Sequence, residues 1–68
     1  MTALQMIDVD TGDVLDTIRL VDGRIVSDTA AGRALLESKR TPDTSDEHLF
    51  DAYTDWCDGV VALQPVTI

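Results

Sequence analysis

The chain has 68 residues, a mass of 7.4 kDa and a formal net charge of −8. That length accommodates a single domain, residues 1–68, with a thin core, because a domain this small buries only about 60% of its unfolded surface. Thirteen acids against five bases weigh against nucleic-acid backbones and anionic membrane surfaces as direct partners. No apolar run is long enough to span a bilayer, and the N-terminus lacks the basic and apolar regions of a secretory signal. A lone cysteine, Cys57, rules out an internal disulfide and suits a reducing compartment.

The first third reads as a β-meander. Residues 3–9 alternate imperfectly, with Ile7 and Val9 expected on the core face and Asp8 opposite. Asp10-Thr11-Gly12-Asp13 is a hairpin loop in which Gly12 adopts positive φ and forms a bulge. Residues 14–20 are the return strand, where Asp16 shares the parity of Val14, Ile18 and Leu20. Asp22-Gly23 predicts a type I′ turn into a short strand, 24–27.

At Asp28 the period changes to helical. Asp28 or Thr29 caps a helix over 30–39, whose apolar stripe holds Ala31, Ala34 and Leu35. Lys39 and Arg40 are placed in its last turn, where cations favour the helix dipole, and Pro42 ends it. Thr44 and Glu47 have capping-box spacing, with Ser45 a rival cap. The second helix is expected over about 45–57. Leu49, Ala52, Tyr53 and Trp56 form its inward stripe, flanked by Phe50 and Cys57. Asp58-Gly59 reads as the helix C-cap. A final strand, 60–64, is ended by Pro65. The expected fold is α+β, a small antiparallel sheet in the order β-β-β-α-α-β packed on a helical hairpin. Its expected core is Ile7, Val9, Ile18, Leu20, Ile25, Leu35, Leu49, Tyr53, Trp56, Val61 and Leu63.

Few residues suggest chemistry. Asp8-x-Asp10-x-Gly12-Asp13 resembles the start of a calcium loop, but position 5 is Gly12 and position 12 is Arg19, so a hairpin explains it better. His48 is the only histidine, and Asp51 is its one orienting candidate. Cys57, nine residues on, falls roughly on the opposite side of a helix, which is poor geometry for a dyad. Cys57 therefore reads as a small buried hydrophobe. No catalytic residue, metal ligand or cofactor is expected.

The acids are more informative. Glu47, Asp51, Asp55 and Asp58 recur at i, i+4, i+8 and i+11, a continuous stripe if the helix reaches them. Residues 41–68 hold six acids and no base, whereas residues 1–40 hold seven acids against five bases. The stripe reads either as a solvated face or as a docking face for a basic protein partner.

Several segments together resemble short reading frames of actinobacterial phages and prophages that lie among head and tail genes. They are Thr11-Gly12-Asp13-Val14-Leu15-Asp16, Ala31-Gly32-Arg33-Ala34 and Asp55-Trp56-Cys57-Asp58-Gly59. The resemblance implies a virion or virion-assembly role and carries over no catalytic residue. The expected function is thus a small non-enzymatic structural or assembly protein, capsid-associated or at the head–tail junction. Its partner would be a basic protein, a capsid or tail subunit, or a second copy of the chain meeting an open sheet edge. The expected location is the cytoplasm or the virion. The alternative is an acidic inhibitor or antitoxin-like mimic of nucleic acid that blocks a basic site.

Overall fold

A computed structural model describes residues 2–67. Three strands, β1 (Thr2–Asp8), β2 (Val14–Val21) and β3 (Arg24–Ser27), precede two helices, α1 (Ala30–Glu37) and α2 (Asp46–Ala52). A last strand, β4 (Val61–Thr67), returns to the sheet. All neighbouring strands are antiparallel, in the order β3-β2-β1-β4, so β4 pairs with β1 and the first strand becomes central. The fold is α+β, as the periodicity indicates.

The turns follow the expected chemistry. Asp22 and Gly23 both take positive φ, +52° and +76°, the combination a type I′ turn requires. In the first hairpin the Asp8 carboxylate accepts the N–H groups of Asp10 (2.9 Å) and Thr11 (3.3 Å). Gly12, at φ +78°, donates its N–H to the Asp8 carbonyl. The calcium-like spacing is thus used to fold a turn. Among the described residues no group of three His, Cys, Asp or Glu side chains is placed to hold a metal ion.

Register decides the core. Leu4 faces Ile18, and Met6 faces both Asp16 and Leu63, which puts the even-numbered β1 residues on the helix side. Ile7 lies on the other face, and Val9 lies beyond the strand and is exposed, contrary to the alternation read from residues 3–9. That segment is apolar at both parities, so only its pairing partners could choose. The register shifts between Met6 and Ile7, opposite Leu15, which is exposed like Val14. The buried cluster is Leu4, Ile18, Ile25, Leu36, Leu49, Phe50 and Leu63, with Met6, Leu20, Leu35, Tyr53 and Trp56 packed on its margin. Val61 is only half-buried.

Both helices lie on one face of the sheet, against β2 and β3. They dock on the strands more than on each other. Thr29 caps α1, its side chain accepting the Ala31 N–H. Ser45, not Thr44, caps α2 by accepting the His48 N–H. Helix α1 stops at Glu37, which leaves Lys39 and Arg40 outside its last turn. Arg40 instead forks onto Glu37 (2.7 and 2.8 Å), reaches the Thr44 carbonyl (2.7 Å) and pairs with Asp46, tying the end of α1 to the start of α2. These contacts hold Arg40 charged, its pKa raised by Glu37 and then Asp46. They lower the Glu37 carboxyl in return.

Helix α2 ends at Ala52, five residues before the expected limit. Continuing it would stack Asp51 against Asp55 at i,i+4 and crowd carboxylates at the negative end of the helix dipole. Instead Thr54 Oγ1 donates to the Phe50 carbonyl (3.0 Å) and Asp55 turns left-handed at φ +67°. The chain then runs along the outside of β4. Leu63 donates its N–H to the Trp56 carbonyl (2.7 Å), and Cys57 bridges Ala62. Cys57 is consequently exposed rather than buried. The same geometry explains why Pro65 does not end β4. The Leu63 N–H points away from β1, residues two apart point alike, and so the Pro65 nitrogen faces outward where no ladder bond is lost.

Candidate functional site

The most constrained polar group is Asp16. Its position on β2 turns it inward beside Ile18, where it is only 3% exposed. Its Oδ1 accepts the N–H groups of Thr29 (2.9 Å) and Thr17 (2.8 Å), and its Oδ2 accepts that of Gly32 (2.7 Å). Burial alone raises its pKa, but the N–H donors of Thr29, Gly32 and Thr17 outweigh that and hold the carboxyl below its ordinary value. Asp16 therefore latches the N-terminal turn of α1 to the sheet, satisfying helix donors that have no partner within the helix. Gly32 allows the approach: a Cβ there would lie 2.6 Å from Asp16 Oδ2 and 2.7 Å from Ile18 Cγ1. All three carboxylate bonds are internal, so this site serves architecture. The parity of Asp16 with Ile18 and Leu20 was its signal in the sequence.

A second carboxylate closes one edge of the sheet. Asp46 Oδ2 accepts the outward N–H of Ile25 on β3 (2.9 Å), and its other oxygen meets Arg40. The Ile25 N–H, then Arg40, hold its pKa low. The opposite edge, along the first half of β4, is covered by residues 56–58. There Asp58 Oδ1 accepts the N–H groups of Val60 (2.8 Å) and Val61 (2.9 Å), the Val61 donor being the main cause of its lowered pKa. Both edges thus carry internal partners at these positions.

The four acids expected to form one helical stripe are divided between elements. Glu47 and Asp51 are exposed on α2, Asp55 sits in the left-handed turn and Asp58 in the loop before β4, both exposed as well. Glu47 leans on the Asp22-Gly23 turn, its Oε1 3.0 Å from where a Gly23 Cβ would be. His48 is exposed in the first turn of α2.

Among the described residues, an open sheet face and a cleft stand out. The sheet face away from the helices carries Val21 (45% exposed) and Val26 (44%), beside Arg19 and Arg24 of the same parity. Arg19 pairs with Asp28 at 2.8 Å. The second is a cleft of about 380 Å³ between the first hairpin, the 55–57 segment and β4. Ile7, Ala62 and Leu63 line it together with Asp8, Asp55 and Trp56. The Trp56 ring meets Tyr53 edge-on (centroids 5.9 Å apart) and lies beneath the Lys39 ammonium at 5.2 Å.

No family model, curated protein or solved structure matches this chain. Among the described residues no helix is long and apolar enough to cross a membrane.

Proposed function

We propose that this protein is a small non-enzymatic structural or assembly component that works through protein–protein contacts. Its setting would be a phage particle, capsid-associated or at the head–tail junction, and its location the cytoplasm and then the virion. The observation that carries the reading is the one-sided packing. Both helices cover one face of a four-stranded sheet, and the other face presents valines to solvent. A sheet face that presents apolar side chains to solvent suits association. The acidic surface adds selectivity, because it attracts a basic partner and repels nucleic acid.

The test is purification of the tagged chain from its native host, with mass spectrometry of particles and of co-purifying proteins. The reading expects a defined partner that survives high salt and is lost with Val21→Asp or Val26→Asp while the fold is retained. A stable monomer absent from particles refutes it. The nucleic-acid-mimic alternative predicts the reverse salt behaviour: binding that collapses with rising ionic strength and with Asp51→Lys plus Asp55→Lys.

A further inference from the structure

We infer that the cleft beside Trp56 is a receptor for an arginine side chain of the protein partner, an assignment that rests on the partner reading above. The cleft combines two features that such a side chain needs together. Ile7 and Ala62, partners across β1 and β4 and both only partly buried, supply apolar lining for its three-carbon stem, and Asp8 and Asp55 supply carboxylates for its guanidinium. The volume, about 380 Å³, admits a long side chain without rearrangement of the sheet. None of the five bases of the chain lines it.

Its carboxylates have capacity to spare. Asp8 uses Oδ1 for the turn N–H groups of Asp10 and Thr11, and among the described residues no donor meets its Oδ2. Asp55 is exposed and held at φ +67°. Lys39 already lies over the Trp56 ring, so the carboxylates rather than the ring recognise the incoming cation. Arginine is favoured over lysine because its planar fork can engage carboxylates through two parallel bonds.

The experiment titrates the full chain with N-acetyl-arginine methylamide and, separately, with the neutral isostere N-acetyl-citrulline methylamide. Amide chemical shifts report location, and fluorescence of Trp56, the only tryptophan, reports the cleft. The expected result is saturable shifts confined to residues 7–12, 55–57 and 62–64 with the arginine compound and none with citrulline. Asp55→Asn and Asp8→Asn should each weaken binding about threefold. Asparagine tolerates the left-handed turn and keeps the Asp8 acceptor, so both variants should retain the native spectrum elsewhere. Equal responses to the two compounds, or dispersed unsaturable shifts, overturn the inference. So does partner capture that is unchanged in Asp55→Asn but lost in Val21→Asp, an outcome that leaves the assembly reading standing.

Discussion

Replacing Gly32 by alanine separates helix propensity from tertiary packing, because the two demand opposite signs. In an isolated helix the change favours folding by about 0.8–1 kcal/mol, since glycine has the larger backbone entropy to lose. Here the new Cβ would lie 2.6 Å from Asp16 Oδ2 and 2.7–2.8 Å from Ile18 Cγ1 and Cδ1. Neither neighbour can move into solvent, since Asp16 is 3% exposed and Ile18 fully buried. Overpacking of a filled site costs about 1–3 kcal/mol. Pushing α1 outward would also stretch the 2.7 Å Gly32–Asp16 bond, a hydrogen bond to a charged group worth about 1.5–3 kcal/mol. The net expectation is a loss of about 1–3 kcal/mol. That is a large share of the stability of a 68-residue chain, which is on the order of 3–10 kcal/mol. Urea denaturation followed by circular dichroism and Trp56 fluorescence measures it. With a slope of about 1 kcal/mol per molar urea, the midpoint should fall by about 1–3 M. Ala31→Gly, at an exposed position of the same helix, should cost only the ordinary propensity of about 1 kcal/mol. A rise in the Gly32→Ala midpoint would refute the close-approach argument.

Three further outcomes follow from the same contacts. Asp16→Asn sets an amide N–H₂ against a backbone donor and should destabilise by about 2–4 kcal/mol near neutral pH. Because the folded Asp16 pKa is depressed, its contribution is fully present above the unfolded value near 3.8 and is lost as pH falls through the lower folded value. The gap between parent and variant should therefore close below about pH 4 in thermal melts, and a constant gap would contradict the latch. Asp46→Ala orphans the Ile25 N–H and should cost about 1–2 kcal/mol, with faster exchange of that amide as the local readout. Phe50→Ala, at a side chain only 5% exposed, should cost about 3–5 kcal/mol. The same change at half-buried Tyr53 should cost clearly less in denaturant titrations.

The sequence by itself determined the order of elements and the two hairpins, and it placed the start of each helix to within one residue. These are local matters: Asp22-Gly23 can satisfy a type I′ turn, and Thr29 and Ser45 can accept helix N–H groups, without reference to distant residues. Charge and size were equally legible. Tertiary structure decided the rest. The face of β1 depended on which neighbours it met, because Ala3, Leu4, Met6 and Ile7 offer apolar residues at both parities. The end of α2 depended on carboxylate crowding and on the pull of β4, whose outer N–H and C=O groups took residues 56–58 as partners. That early ending broke the acidic stripe, exposed Cys57 and opened the cleft beside Trp56. Local propensity fixes where a segment begins to order. Where it stops, and which side it buries, is set by hydrogen bonds and packing between residues far apart in the chain.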